Sequence, residues 1–400
     1  MINKQKILVV TPRFPYPVIG GDRLRIYQIC KYLSSKYDLH LVSICEQKED
    51  LDYQVPDDKV FTSIDRYYLP KWKSYLKTAW GVLNFSPLQV AYYKSAGFKK
   101  LVDKHIKSAD LALCHLVRTA KYIEGHDIPK VLEMTDAISM NYDRVAKISK
   151  TSGIMNFIYS VERKRLRAFE LGCIDNFDYS VLVSDIDKSY LLPNGGANKD
   201  KVIVSSNGVD TDFLSYDFSH NSKTIIFIGN LYSVQNLDAA VWFAEHVMPL
   251  LLSKGNYKFK VIGRIKEKDR VKFKNFKGVE LTGAVDSIPC EARGSLAAVC
   301  PVRLAAGVQN KILEYMSLGV PTITSSIGLE GINAQPGKEL LVANKPEEYV
   351  AEIEKLYFDE PFSEGISIAA RSFVESEHSW DSQLSNIGDV FNSLEIKPVK

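Results

Sequence analysis

The stretch KILVVTPRFPYPVIGGDRLRIYQICKYLSSKYDLHLVSIC, residues 6–45, decides the fold. Lys6 to Thr11 is a continuous apolar run with β-branched residues, and a loop rich in proline and glycine follows it. A short apolar run bounded by turn residues reads as a buried strand. From Asp22 onward Ile26, Ile29, Cys30 and Leu33 recur at i, i+3, i+4 and i+7, which gathers them on one stripe of a helix. Asp38 to Cys45 is then the next strand. Strand, glycine-bearing loop, helix, strand is a βαβ unit, and two apolar strands in it suit a parallel sheet covered on both faces. The N-terminal half is expected to be Rossmann-like.

Outward from this unit the theme repeats. Ala109 to Cys114, Lys130 to Glu133, Tyr179 to Ser184 and Lys201 to Ser205 read as strands, and Val161 to Leu171 as a charged amphipathic helix. After Asn207-Gly208-Val209-Asp210 the chain turns polar through Ser215 to Lys223. A second series then opens with the strand Thr224 to Gly229. Leu237, Ala240, Val241, Ala244, Met248 and Leu251 form its helical stripe, and Lys258 to Gly263 its next strand. The expected class is α/β, two Rossmann-like domains with a cleft between them, since ligands of such sheets bind beyond the carboxyl ends of the strands. The expected domains are 1–215, 216–375 and a C-terminal helix, 376–400, packing back on the first.

The 400 residues exceed one ordinary core, which agrees with two domains. A 46% hydrophobic and 25% charged composition excludes a disordered or collagen-like chain. With 51 Lys and Arg against 48 Asp and Glu the net charge is only +3, which gives no argument for nucleic acid as a partner. Cys30, Cys45, Cys114, Cys173, Cys290 and Cys300 form no CxxC pair or zinc-like spacing, so buried reduced thiols are expected. No stretch reaches the ~20 apolar residues that span a bilayer. The N-terminus runs directly into a strand rather than a signal sequence, and the expected location is the cytoplasm, on the inner face of the membrane if peripheral.

The most informative chemistry lies between Cys300 and Pro321, where a strand passes through the Gly307 loop into a helix and out through Gly319-Val320-Pro321. A helix start at the carboxyl edge of a parallel sheet offers free N–H groups and a positive dipole end to an anion. Lys311, in the first turn, opposes that dipole at a cost of a few tenths of a kcal/mol unless an anion neutralises it. Glu314, at i+3, is able to accept two hydroxyl hydrogen bonds of a ribose. The same spacing also suits a surface ion pair worth about 0.3 kcal/mol.

This segment resembles the C-terminal signature of family 4 glycosyltransferases of the GT-B fold. The resemblance covers nearly the whole chain. It includes Pro15-Tyr16-Pro17 with Gly20-Gly21-Asp22, Ser206-Asn207-Gly208-Val209-Asp210 with Phe213, and Phe227-Ile228-Gly229 with Asn236 and Asp238. It continues through Val261-Ile262-Gly263-Arg264 and Leu281-Thr282-Gly283 to Gly328-Leu329-Glu330-Gly331. The nearest subgroup is the sugar transferases of exopolysaccharide and exosortase systems.

The resemblance implies a glycosyltransferase that moves a sugar, with retention and without metal, from a nucleotide sugar such as a UDP- or GDP-sugar to a hydroxyl of a glycan or lipid-linked acceptor. It implies no further cofactor, and a role in bacterial surface polysaccharide or glycoconjugate synthesis. Gly307, Val308, Gln309, Asn310 and Lys311 would hold the diphosphate, Glu314 the ribose, and Gly20 and Gly21 would face the phosphates from the first domain. His115 and Asp136, at strand ends, are the candidate catalytic groups. The sequence departs from the pattern in two places. Ala306 stands where the family has a second Glu, and Asn230 and Gln235 where most members carry Arg and Lys. Arg264 and Arg303 are the available replacement cations.

D-x-D triplets of the kind that bind metal occur at Asp50-Leu51-Asp52, Asp185-Ile186-Asp187 and Asp210-Thr211-Asp212, as expected by chance with acidic residues this common, and no metal is implied. An NAD-type Rossmann enzyme is the alternative enzyme class, but no G-x-G-x-x-G follows Val10 or Ile228. A non-catalytic two-domain sugar- or nucleotide-binding protein is the other. Finally, from Arg66 to Lys107 the cations Arg66, Lys71, Lys73, Lys77, Lys94, Lys99, Lys100, Lys104 and Lys107 face the single acid Asp103. Trp72, Tyr75, Trp80, Phe85, Tyr92, Tyr93 and Phe98 are interleaved with them. Such a segment suits an anionic membrane surface, or a core with solvated lysines outside it.

Overall fold

The computed structural model describes residues 4–18, 21–83, 86–148, 153–193, 195, 198–211, 213–220, 222–303 and 308–394. The chain divides into two compact units, one of residues 1–206 with 384–400 and one of residues 207–383. Each is built on one parallel sheet. The first comprises β1 (Lys6–Thr11), β2 (Asp38–Cys45), β3 (Ser63–Tyr68), β4 (Leu111–His115), β5 (Lys130–Thr135), β6 (Tyr179–Leu182) and β7 (Val202–Val204), in the order β3-β2-β1-β4-β5-β6-β7. The second comprises β8 (Thr224–Ile228), β9 (Lys258–Ile262), β10 (Val279–Gly283), β11 (Ala297–Cys300), β12 (Thr322–Thr324) and β13 (Leu341–Val342), in the order β10-β9-β8-β11-β12-β13.

The apolar runs explain the central strands. Ile7, Leu8, Val9 and Val10 of β1 and Ile225, Ile226 and Phe227 of β8 are buried, as strands covered on both faces by helices must be. The strand β3, with only half-buried and exposed residues, lies at the sheet edge. Its polar pattern gave no strand expectation. In the second unit the stripe from Leu237 to Leu251 is carried by the helix Val234–Trp242, a π-turn over Phe243–Val247 and the helix Met248–Lys254. One extra residue in that turn re-aims the stripe, and Ala240, Ala244, Met248 and Leu251 remain buried.

The unit boundary falls between Ser206 and Asn207, not after Ser215, and the chain returns to the first unit at Leu384 rather than 376. Arg371 supplies the reason. Its guanidinium donates to the carbonyls of Leu214 at 2.7 Å, Ser317 at 2.6 Å and Thr211 at 3.0 Å. The polar connector is thereby tied into the second unit. Val209 also pairs with Ser379 as a parallel bridge.

Candidate active site

In each sheet the strand order reverses at one place, between β1 and β4 and between β8 and β11. Chains leaving such a pair turn to opposite faces and open a crevice beyond the carboxyl ends. The two reversal points are described separately.

In the second unit the helix Asn310–Leu318 starts beside β8 and β11. Its inner face is fixed by Ile312, Leu313, Tyr315 and Met316, all buried. Truncating a side chain such as Leu313 to Ala would cost about 2–5 kcal/mol. The Tyr315 hydroxyl accepts a hydrogen bond from the backbone N–H of Ile228 at 2.7 Å, so the helix is locked to the end of β8. Gly319, at φ 78°, ends it in the left-handed region, where a Cβ would meet the Tyr216 ring at 2.7 Å. At the edge of the crevice Gly263, at φ 141°, lies so close to β8 that a Cβ would stand 2.0 Å from the Gly229 carbonyl oxygen.

Lys311 is half-buried at this helix start. Its ammonium lies 4.8 Å from the centre of the buried Phe227 ring and donates to the Asn236 side-chain carbonyl. Burial depresses its pKa, and the Cys300 thiol and Glu314 only partly offset this. Burial likewise raises Glu314 against the pull of Lys311. The two are not within ion-pair distance of each other, and the Glu314 carboxylate makes no hydrogen bond among the described residues. A desolvated cation with one neutral amide partner, one turn from an acid with open acceptor sites, is an arrangement that an anionic, hydroxyl-bearing ligand would complete.

The other second-unit residues named from sequence differ in availability. Val308 packs partly buried against the core, and the Asn310 side-chain carbonyl accepts from Asn207 at 3.2 Å. Gln309 precedes the helix without capping it through its side chain. Arg264 is exposed directly after β9. Arg303 is held bidentately by Asp238, at 2.7 and 3.1 Å, over the Trp242 ring. Asn230 is exposed, its side-chain oxygen accepting from the Tyr232 N–H. Gly307 and Ala306 lie outside the described residues.

In the first unit Gly21 opens the helix Gly21–Ser34, with no atom within 4 Å of where a Cβ would stand, so packing does not demand glycine there. Gly20 lies outside the described residues. His115 ends β4, buried, with Nδ1 2.6 Å from Glu133 Oε2. Glu133, fully buried on β5, also accepts from Arg25 Nε at 2.6 Å, from the Thr135 N–H at 2.9 Å and from the Thr135 hydroxyl. Arg25 donates further to the carbonyls of Ser205 at 2.9 Å and Ser206 at 3.2 Å. Burial alone would raise the Glu133 pKa, but the Arg25 charge and the His115 hydrogen bond outweigh it and hold the group down at about 2.

The ionised carboxylate assigns the donating proton of His115 to Nδ1 and leaves Nε2 as the acceptor edge. Nε2 makes no hydrogen bond among the described residues. Both strand ends are turned by non-glycine residues in the left-handed region, Leu116 at φ 61° and Thr135 at φ 63°. Such conformations persist only where the surroundings over-determine them, and they gather at functional sites. Asp136 is half-buried in the bend after β5. The acid that orients His115 is Glu133, three residues earlier, and neither it nor Arg25 was expected from the sequence.

Two of the D-x-D acids hold local structure. Asp187 is buried and accepts from the Ala137 N–H at 2.9 Å. Asp50 and Asp52 lie in the short helix Glu49–Asp52, and Asp210 accepts from the Phe213 N–H at 3.0 Å. Asp212 lies outside the described residues. Cys290 is an exposed thiol, whereas the other five cysteines are buried as expected.

Structure divides the aromatic-basic segment. Tyr93 and Phe98 are core, Arg66 is bound to the carbonyls of Asp50, Leu51 and Tyr53, and Lys99 pairs with Asp103 at 2.6 Å. On the helix Lys71–Leu83, Trp72, Tyr75 and Leu76 are 61%, 64% and 59% exposed beside the exposed Lys71 and Lys73. Phe85 and the side chain of Trp80 lie outside the described residues. No described helix is long and apolar enough to cross a membrane.

Comparison with known proteins gives a consistent result. Residues 222–359 match the family described as glycosyl transferases group 1. An uncharacterized 44.6 kDa protein of the cps region of Klebsiella pneumoniae is 23% identical over 403 residues, covering 97% of this chain and 98% of the relative. HepE of Anabaena in complex with UDP shares 14% identity at a TM-score of 0.65, covering 97% of this chain and 100% of that one. Sucrose-phosphate synthase of Thermosynechococcus elongatus shares 12% at a TM-score of 0.71, covering 98% and 99%. The apo lipopolysaccharide outer core galactosyltransferase WaaB shares 14% at 0.63, covering 97% and 99%.

Proposed function

With residues 222–359 a glycosyltransferase domain of group 1, in a chain of the GT-B fold, we propose that the protein transfers a sugar from a nucleoside diphosphate sugar to a hydroxyl acceptor in surface polysaccharide synthesis. The observation that carries the donor reading is Lys311 with Glu314. The cation is desolvated and, among the described residues, has no anionic hydrogen-bond partner, and the acid has its acceptor sites open there. A diphosphate answers the first and a ribose the second. HepE was solved with UDP and with UDP-glucose, which makes UDP-sugars the first donors to test, and the cps-region relative supports the polysaccharide setting.

In this reading Nε2 of His115, at the end of β4, is the group offered to the reacting sugar or acceptor hydroxyl, with Asp136 in the bend that follows the neighbouring strand β5. Charge developing on the departing diphosphate is met by Lys311 and the Asn310–Leu318 helix start, with Arg264 as an exposed second cation, so the transfer proceeds without metal. Retention of anomeric configuration follows from the family resemblance, and NMR of the product anomer decides it. Thermal denaturation with UDP, GDP, NAD and free sugars tests the whole. A nucleoside diphosphate at about a hundredfold over its Kd adds about 2.7 kcal/mol to stability. Stabilisation by NAD alone would favour a dehydrogenase, and by free sugar alone a binding protein.

The acceptor is lipid-linked in this proposal, because the exposed face of the helix Lys71–Leu83 combines aromatic rings with Lys71, Lys73 and a nearby Lys77. Each such cation contributes about 1 kcal/mol at an anionic surface, and Trp and Tyr rings settle at the headgroup level. Flotation with anionic liposomes at low salt should carry the parent up and leave a variant with Lys71, Lys73 and Lys77 changed to Glu behind. Equal recovery of both in the soluble fraction removes the membrane proposal and leaves the donor proposal standing.

A further inference from the structure

At the edge of the first sheet three ligating side chains meet that sugar transfer does not use. His40 belongs to β2, Asp65 to the edge strand β3, and His105 is the last residue of the helix Ala96–His105. In the parallel register His40 pairs with Ser63 and Val42 with Asp65. Alternation along a strand therefore puts His40 and Asp65 on one face, a diagonal step apart. His40 Nε2 lies 2.7 Å from Asp65 Oδ2, and His105 Nε2 3.3 Å from the same oxygen. The imidazole rings meet edge to face with centroids 4.2 Å apart, and the three donor atoms fall within 4.8 Å of one another.

We propose that His40, Asp65 and His105 form a binding site for a zinc-type divalent transition-metal ion, separate from the groups assigned to sugar transfer. The donor set is two imidazole nitrogens and one carboxylate oxygen, which suits Zn²⁺, Co²⁺ or Ni²⁺ rather than Mg²⁺ or Ca²⁺, whose preferred ligands are all oxygen. Ligands about 2.0–2.1 Å from a tetrahedral ion stand ~3.3 Å apart. The His105 contact already has that spacing. The His40 contact is a hydrogen bond, and it opens when the ion displaces the Nε2 proton, which passes to Nδ1 of the same ring, so that a neutral imidazole binds. Water takes the fourth position, on the side where the Asp65 side chain is 38% exposed.

A protein without the ion leaves one of these donors unsatisfied. His105 Nε2 is sealed from solvent and lacks a hydrogen-bond partner, the Asp65 oxygen being near but out of hydrogen-bond geometry. Bound metal would join β2, the edge strand β3 and the end of a helix.

The test uses full-length protein freed of any histidine tag and stripped with chelator. Stoichiometric Zn²⁺ should raise the Tm by roughly 5 °C or more, Mg²⁺ should not, and Co²⁺ should give the intense visible bands of a tetrahedral site. His40→Gln with His105→Gln should remove the bands and the Zn²⁺ shift while circular dichroism and nucleoside diphosphate binding stay as in the parent. Asp65→Asn, the milder variant, should weaken Co²⁺ binding tenfold or more. Absence of tetrahedral bands in the parent overturns the proposal. So does undiminished binding by the double variant, which would place the ion elsewhere, for example on the exposed thiol of Cys290. Neither result bears on the donor site.

Discussion

The two strand-order reversals carry opposite kinds of electrostatics. Beyond β4 and β5 the charges are satisfied from within, since Glu133 is filled by Arg25, His115 and Thr135, and Arg25 by Glu133 and two carbonyls. Beyond β8 and β11 they are not, because among the described residues Lys311 has only a neutral amide and Glu314 has open acceptor sites. A saturated buried network holds geometry and resists change. An unsaturated pair stores a deficit that a ligand can remove. In the proposed function the first arrangement positions a reactive imidazole and the second is the donor site.

The largest effect that would break this contrast is on turnover. Removing a general acid or base typically costs a factor of about 10²–10⁴, and His115→Ala should lower kcat by that order while donor Kd stays within a few-fold. A kcat within threefold of the parent would reduce His115 to a structural group. Next comes stability. Glu133→Ala leaves Arg25 buried without its counter-ion, and breaking such a pair from one side costs about 3–5 kcal/mol, read as a lowered urea midpoint.

The same carboxylate sets an acid limit. Its pKa is depressed from 4.5 to about 2, so its stabilisation is complete above about pH 4.5 and drains away as pH falls towards 2. Glu170 acts in the other direction. Burial, against hydrogen bonds from Ser139, raises it to about 7, so stability is fullest below about pH 4.5 and declines as pH rises through 7. Glu170→Gln should flatten the Tm profile between pH 5 and 8 and leave the acid limb unchanged.

Legibility from sequence followed the range of the interactions. The βαβ unit at residues 6–45 and the pair Lys311 and Glu314 are local patterns of strand alternation and helix spacing, and both are found where the sequence puts them. Arg25 and Glu133 are 108 positions apart, and neither has a neighbour that betrays the other. Arg25 reads as one more polar residue on an amphipathic helix, and Glu133 as the end of a strand. The unit boundary was hidden for the same reason, because Arg371 binds carbonyls some 160 positions before it. β3 went unread because an edge strand needs no apolar run.

Ligand binding in the second unit should show the middle-sized effect. Lys311→Ala removes a charged donor to phosphate and should weaken nucleoside diphosphate binding by ~1.5–3 kcal/mol. Glu314→Gln should weaken it less and leave the fold intact. Calorimetric titration with UDP and GDP checks both. Parent-like affinity in both variants would mean that the deficit at this helix start is not what the donor relieves.

The smallest effect concerns Arg303, which the sequence offers to the phosphates and which Asp238 holds at a half-exposed position. Exposed pairs of this kind contribute about 0.2–1 kcal/mol, so Asp238→Asn should hardly move the Tm. Its effect on the donor is more telling. The substitution frees the guanidinium without displacing it, since the amide remains a hydrogen-bond acceptor and the Trp242 ring stays beneath it. If phosphate lies within reach of Arg303, the variant should bind nucleoside diphosphate a few-fold more tightly at low salt, and adding Arg303→Ala should cancel the gain. Unchanged affinity at every salt concentration would make Arg303 a strut between β11 and the helix Val234–Trp242. The phosphates would then depend on Lys311, Arg264 and the backbone N–H groups alone.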